Sequence, residues 1–529
     1  MRGMPIRRLA PLHLCLALFA LRAAAAESPP SEGFDIWEFE ISGSAQLPPQ
    51  AIERAVYPFL GPDRTVDDVE RASAALEALY KDAGYGTVIV NIPEQDVVDG
   101  LVKLEVVEGT VDRLLVTGTR YFSPAQLRAA VPSLAPGQVP DLRQVQKELQ
   151  AVNAATSDRR VTPILRPGRL PGTVEAELKV DDELPVHGTL EINNQYTRDT
   201  TKPRLAASLG YDNLWQRQHS AGIGYQTAPE DTDDVTVLYG TYSARLGGSP
   251  WLVSGYLVDS DTAVSTVGTL GVIGKGQIAG LRFIRPLPVF AGGLPRVTIG
   301  LDYKDFDESI ALAGGQPTIE TPITYGVLSL GWGVTFPADD RTTSLNLQGV
   351  LGPRFLGNEQ DEFDRKRTGA SAGFAHLNVG LTHERGFPGD VRLKLAFNGQ
   401  LSDGPMISNE QFGFGGASSV RGYLESEQFV DNGFSGQFEI LSADWGKALY
   451  DDASARLAFF TDVGLGNLND PLPEQDDRFF LWSVGLGLRA TLWDGFNASL
   501  DWAVPLKDTA DGDIEGGDSR VHFSTGVSF

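Results

Sequence analysis

Cysteine is almost missing: the 529 residues hold one, Cys15, inside an apolar leader. The rest of the chain therefore has no disulfide framework and no thiolate for catalysis. Long apolar runs are also missing. Beyond the leader no stretch approaches the roughly 18 consecutive apolar residues of a transmembrane helix. Positive charge is scarce, with 44 Lys and Arg against 69 Asp and Glu. That balance excludes the basic surface needed to hold nucleic-acid phosphates. Histidines are few and scattered: His187, His219, His376, His383 and His522 follow the leader, with no HExxH, no G-x-S-x-G and no Walker A motif. No metal set, no cofactor and no enzyme chemistry is expected.

The leader has the form of an export signal over residues 1–26. Arg2, Arg7 and Arg8 precede an apolar core from Leu9 to Leu21, and Ala24-Ala25-Ala26 supplies an A-x-A cleavage site before Glu27. Leu14 is too large for the residue before a lipid-bearing cysteine, so Cys15 does not read as a lipoprotein site. Cleavage removes four arginines and leaves the mature chain near −29. The remaining length, roughly 500 residues, suggests more than one domain.

Two regions with different periods follow. Residues 34 to 182 are mixed α/β. "FDIWEFEIS" (Phe34 to Ser42) alternates as a strand; Val69, Ala72, Leu76 and Leu79 recur at helical spacing with Tyr80 beside them; Gly84 stops that helix; "TVIVNI" and "LVKLEVV" read as strands. This order of strand, helix, helix, strand, strand then repeats. "ISGSAQLPPQAI" (from Ile41) aligns with "VTGTRYFSPAQL" (from Val116), which places Gly43 over Gly118. Pro58 and Leu60 match Pro132 and Leu134, and Val69 and Leu76 match Val145 and Val152. Two copies of one small domain are expected.

After "DDELPVHG" (Asp181 to Gly188) the helical period disappears. "VRLKLAFNGQ" sets Val391, Leu393, Leu395 and Phe397 against Arg392, Lys394, Ala396 and Asn398. "RVHFSTGVSF" alternates in the same way up to Phe529. Sixteen candidate strands begin near residues 189, 204, 219, 235, 251, 278, 296, 325, 343, 375, 391, 434, 455, 481, 497 and 520, with Val264 to Ile273 as an ambiguous extra. An even number of antiparallel strands of this length fits a closed outer-membrane barrel, in which no backbone is left unpaired in lipid. The acidic stretches "PEDTDD", "GNEQDEFDRKR" and "NDPLPEQDDR" read as solvated loops, not Ca²⁺ sites. "GLGLRA" (Gly485 to Ala490) matches a dinucleotide fingerprint by letter, but it lies within an alternating strand.

One stretch does not fit a solvated loop. "GGASSVRGYLES" (Gly415 to Ser426) lies in the longest interval between strands, which reads as strand-free, between the eleventh and twelfth. A barrel this wide leaves an aqueous channel unless something fills it. A Gly/Ser-rich loop can fold back into it, and Arg421 would then need an acidic partner. "AFFTDVGLG" offers Phe460, Asp462 and Gly464 as F-x-D-x-G on one strand face. An acid facing lipid is costly, so this face is expected to point inward. A water-exposed ion pair contributes about 0.2–1 kcal/mol, whereas breaking a buried one costs about 3–5 kcal/mol. The lumen is expected to lie between these limits.

"SSVRGY" together with "FFTDVG", following two such repeats, resembles the two-partner secretion transporters of the outer membrane, the haemolysin-activator (TpsB) type. They belong to a superfamily of POTRA-bearing barrels that includes the outer-membrane assembly factors. "NIPEQDVVDGLVKLEVVEGTVDRLLVTG" (Asn91 to Gly118) is similar to the stretch that closes the family's first POTRA domain. The similarity runs from about Phe34 to Phe529. It implies α+β POTRA domains over 34–108 and 109–182, in the periplasm, and a sixteen-stranded antiparallel transmembrane β-barrel over 186–529. It further implies a sixth extracellular loop that carries Val420, Arg421, Gly422 and Tyr423 into the lumen, with Asp462 as the arginine's partner. The implied partners are an unfolded, β-rich exoprotein, outer-membrane lipid and lipopolysaccharide, and the barrel assembly machinery that inserts the barrel; nucleic acid is excluded. An assembly factor of the same superfamily and a passive porin stand as alternatives. Some family members begin with a helix that plugs the barrel. Glu27 to Gly33 is too short to form and tether one, so either the loop alone seals this pore or the sealing differs.

Overall fold

The computed structural model describes residues 33–529 except 199, 263, 268–269, 274, 311–318, 449, 474, 494 and 511. The export signal expected over residues 1–26 lies outside the described residues. The chain divides into two units: one runs to Thr119 and includes Pro124–Asp181, the other comprises Arg120–Ser123 and Asp182–Phe529.

In the first unit one arrangement occurs twice. Strand Glu38–Ser42, helices Pro49–Val56 and Val66–Ala83, and strands Val88–Asn91 and Leu101–Glu108 are followed by strand Thr110–Thr117, helices Pro124–Ala130 and Leu142–Ala154, and strands Arg159–Pro167 and Thr173–Asp182. In each copy the last strand lies in the middle of three, parallel to the first. The long helix of the first copy begins where the Asp68 carboxylate accepts the Thr65 backbone N–H at 3.0 Å. It ends at Gly84, whose φ of 105° suits a residue without a side chain. Its buried stripe is Val69, Ala72, Leu76 and Tyr80, with Leu79 half-buried against the same core. The glycine alignment has a structural counterpart. A Cβ on Gly43 would lie 2.2 Å from the Val106 carbonyl oxygen, and one on Gly118 would lie 2.2 Å from that of Val180. Both have positive φ, 79° and 84°.

The expected strand Phe34 to Ser42 is broken at Trp37. Phe34–Ile36 pairs with Gly61–Arg64, and the chain then switches partner to Leu101–Glu108. The cause is local: the N–H groups of Trp37 and Glu38 both donate to the Gly100 carbonyl.

The second unit is a closed barrel of antiparallel strands. They are β1 (Val186–Asn193), β2 (Arg204–Leu214), β3 (His219–Thr227), β4 (Thr236–Arg245), β5 (Leu252–Ser260), β6 (Gly276–Pro286), β7 (Leu294–Phe306), β8 (Ile323–Pro337), β9 (Arg341–Leu351), β10 (Ala375–Phe387), β11 (Val391–Ser402), β12 (Asn432–Leu441), β13 (Ser454–Asn467), β14 (Arg478–Leu492), β15 (Phe496–Pro505) and β16 (Arg520–Ser528). Closure is made by β16 pairing with β1, from Ser524↔Asn193 to Ser528↔Thr189. Alternation sorts the two faces. On β13, Leu457, Phe459 and Leu465 are exposed outward, while Phe460 and Asp462 are buried inward. No described helix is long and apolar enough to cross a membrane.

Two expectations change in detail. Val264 to Ile273 is a separate hairpin, Val264–Val267 against Leu270–Ile273, outside the barrel order. "GNEQDEFDRKR" is not merely solvated: Gln360–Lys366 is a short helix. Its Phe363 is 1% exposed, with its ring 5.6 Å from that of Tyr325 and 5.9 Å from that of Phe374. One aromatic in an acidic stretch anchors the segment by burial.

Candidate functional site

The connection from β11 to β12 runs inside the barrel and is not strand-free. Phe412–Phe414 pairs with Gln428–Val430, making a two-stranded stalk that carries the tip. Gly415 and Gly416, with φ of 117° and 94°, turn the chain at the top of that stalk. The Ser419 hydroxyl closes the turn by accepting the Gly415 N–H at 2.8 Å and donating to the Gly415 carbonyl at 2.9 Å.

The tip residues are enclosed: Val420 and Tyr423 are fully buried, and Arg421 is 3% exposed. Arg421 meets Asp462 of β13 as a fork. Its Nε donates to Oδ2 at 2.7 Å and its Nη2 to Oδ1 at 2.8 Å, while its backbone N–H adds a third bond at 3.1 Å. The remaining nitrogen, Nη1, donates to Glu439 Oε2 of β12 at 2.6 Å. The guanidinium lies over the ring of Phe460, 3.4 Å from its centroid. Burial works against this cation, but Asp462 and Glu439 hold its pKa well above the ordinary arginine value. The pair is therefore a buried one, at the costly end of the range rather than between the limits.

Each remaining tip residue has its own seat. The Gly422 N–H donates to His522 Nε2 of β16 at 2.9 Å. The Tyr423 hydroxyl donates to the Lys507 carbonyl at 2.7 Å and the Trp482 carbonyl at 3.1 Å, just beyond the end of β15 and within β14. Val420 packs with Phe414, Tyr423, Val430, Leu481 and Ile514. Gly464 makes room for that cluster, since a Cβ there would lie 2.4 Å from Phe414 Cδ2 and 2.9 Å from Val420 Cγ2. The structure thus brings all seven expected residues to one place.

Sequence reasoning missed the second layer. Arg489 of β14 donates to Glu439 at 2.7 Å and to both oxygens of Asp501 of β15, at 2.7 and 3.1 Å. Two guanidinium groups and three carboxylates form one network, with contributions from β12, β13, β14, β15 and the loop. A signal for it was present: Glu439 lies between the lipid-facing Phe438 and Ile440, and Asp501 between Leu500 and Trp502. The glycines of "GLGLRA" are spacers in this wall. A Cβ on Gly485 would lie 2.2 Å from Phe460 Cζ, and one on Gly487 would lie 2.1 Å from Asp501 Oδ1.

The base of the loop has a separate tie. Arg367, in the connection from β9 to β10, forks onto Asp431 at 2.5 and 2.8 Å. It also donates to the carbonyls of Met406 and Asn469. Nearby, the Glu410 carboxylate accepts from Lys304 Nζ at 2.5 Å and from the Tyr325 hydroxyl at 2.6 Å, and His376 Nε2 lies at 3.3 Å.

Comparison with known proteins adds the following. The model of the ShlB-type POTRA domain matches residues 34–109. The model described as haemolysin secretion/activation protein ShlB/FhaC/HecB matches residues 172–490. The outer membrane transporter CdiB of Dickeya dadantii (strain 3937) is 23% identical over 460 residues, covering 80% of this chain and 75% of that protein. The heme/hemopexin transporter protein HuxB of Haemophilus influenzae (strain 86-028NP) is 21% identical over 476 residues, covering 86% of this chain and 80% of that protein. Among solved structures, CdiB from Escherichia coli superposes with a TM-score of 0.61 at 20% identity, covering 96% of this chain and 92% of its own. BamA from Haemophilus ducreyi lacking POTRA domains 1–3 gives 0.56 at 13% identity, covering 94% and 100%. At such identities the two structural likenesses speak for the fold alone.

Proposed function

The chain belongs to the haemolysin secretion/activation family of ShlB, FhaC and HecB, and from that premise we propose that it exports one unfolded, β-rich exoprotein and that the loop tip governs the route. It is an outer-membrane β-barrel transporter of a partner protein, with its POTRA region in the periplasm. The cargo's class follows from the pore: only an extended chain can enter a lumen that already holds a loop. We read residues 34–108 and 109–182 as two POTRA domains that receive it. Each three-stranded sheet has an edge strand, Val88–Asn91 in the first and Arg159–Pro167 in the second, to which an extended segment can add. Lipid and lipopolysaccharide surround the barrel, and the barrel assembly machinery inserts it. The activity is transport, not catalysis.

The observation that supports a governing loop is the buried fork from Arg421 to Asp462. Such a pair fixes position, because either partner left alone is an uncompensated buried charge. Arg421→Ala is expected to lower secretion of the exoprotein severely while the barrel still inserts. Normal appearance of the exoprotein outside the cell would end the loop reading. Depletion separates the rival: loss of many membrane barrels, instead of one secreted protein, would make this an assembly factor.

A further inference from the structure

Beside the charged network, on the strands that lead up to β12, the lumen wall changes chemistry. On β9, β10 and β11 two adjacent inward rows run across the sheet. One is Gln348–Asn378–Gln400, the other Asn346–Gly380–Asn398. They hold five side-chain amides and no charge. On β8 the rows continue as Gly331 and Gly333, which keep that wall recessed. Between this wall and the loop lies a cavity of about 540 Å³, bounded on the loop side by Gly413, Gly415, Ser418 and Ser419.

Hydrogen-bonding capacity in that cavity is unspent. Among the described residues no hydrogen bond engages the side chains of Gln348 and Asn398. Arg204, 2% exposed, also lines the cavity. Its Nε donates to the Gln195 carbonyl and its Nη2 to the Thr200 hydroxyl, while its Nη1 has no partner among the described residues. A peptide group offers both donor and acceptor to an amide side chain.

We propose that this cavity is the conduit: the exoprotein's extended backbone passes between the loop and the β9–β11 wall, exchanging hydrogen bonds with Gln348, Asn398 and their neighbours. The inference rests on the transport reading and refines it. The loop is then one wall of the route, held in place by Arg421, and cargo passes with the tip seated. Neutral amides suit such a wall. Each bond is weak and replaceable, so a chain can advance site by site.

The test uses the purified full-length protein in a planar bilayer. The probe is a long unstructured Gly/Ser/Asn/Thr peptide with a short acidic tail for capture by the applied voltage. Gln348→Ala with Asn398→Ala is expected to shorten peptide blockades about tenfold, the effect of losing about two neutral hydrogen bonds. Ser499→Ala with Ser524→Ala, on inward positions of β15 and β16, is expected to leave them unchanged. Unchanged blockades in the amide variant, or an equal shortening in the serine variant, would overturn the conduit and leave transport standing. Equal amide-dependent blockades by a neutral dextran of similar length would overturn the peptide assignment. A wild-type pore that the peptide never blocks would overturn the conduit and leave transport standing.

Discussion

The long loop is held by two arginine–aspartate forks, each on a fully buried carboxylate, and they are built to different plans. At the root, Arg367 and Asp431 are one cation and one anion whose remaining bonds go largely to backbone. Asp431 accepts the N–H groups of Met406 at 3.0 Å and Asn469 at 2.7 Å, and Arg367 donates to the carbonyls of the same two residues. At the tip, two guanidinium groups share three carboxylates on barrel strands. If the tip left, Arg489 would still cover Glu439 and Asp501, and Asp462 alone would be bare. If the root opened, two further connections would lose their ties together. The root is a knot; the tip is a seat.

The largest effect is therefore expected from Asp431→Ala. Breaking that fork should cost about 3–5 kcal/mol, seen as a lower thermal unfolding midpoint and faster protease cleavage of the 352–374 connection. An unchanged midpoint would mean that the root fork does not tie the connections together. A smaller loss is expected from Gly464→Ala, which adds a methyl into the tip cluster without altering any charge. Overpacking there should cost about 1–3 kcal/mol and raise single-channel conductance while the root remains protected.

The smallest effect is in pH dependence. Burial opposes the charge of Glu410 near the root, but Lys304 and His376 hold its pKa down to about 2. At the tip, burial pushes the Glu425 carboxyl up to about 7, with one N–H, from Ala417, opposing that rise. Arg198 and Glu427 beside it pair with each other. A raised folded pKa means the Glu425 contribution is full below the ordinary carboxylate value and is lost as pH rises through about 7. The tip of the wild-type protein should accordingly become more protease-sensitive between about pH 5 and pH 8, and Glu425→Gln should flatten that change. An identical slope in both proteins would remove Glu425 from the account.

Legibility in the sequence followed periodicity. The barrel strands begin within three residues of the expected positions, for instance 276 against 278 and 478 against 481. A period of two with one face in lipid leaves little freedom of register. Arg421 and Asp462 were legible because one sits in a turn-rich loop and the other on an apolar strand, each misplaced without a partner. Arg367 was not. It lies in an acidic, polar segment whose composition looks solvated, and only its partner's position reveals that it is partly enclosed on a buried carboxylate. The break at Trp37 was also hidden, because a strand that changes partners keeps its alternation.

The sequence alone determined that the chain has a twice-repeated α/β unit, a barrel and an arginine that requires an inward acid, since periodicity and the cost of charge in lipid act locally. Only the tertiary structure decided that three carboxylates share two cations, and that five amides line a cavity on the neighbouring strands. Those groupings arise when closure of the barrel brings together residues that are far apart in the chain, and side-chain alternation says which face a residue takes but not what stands opposite it.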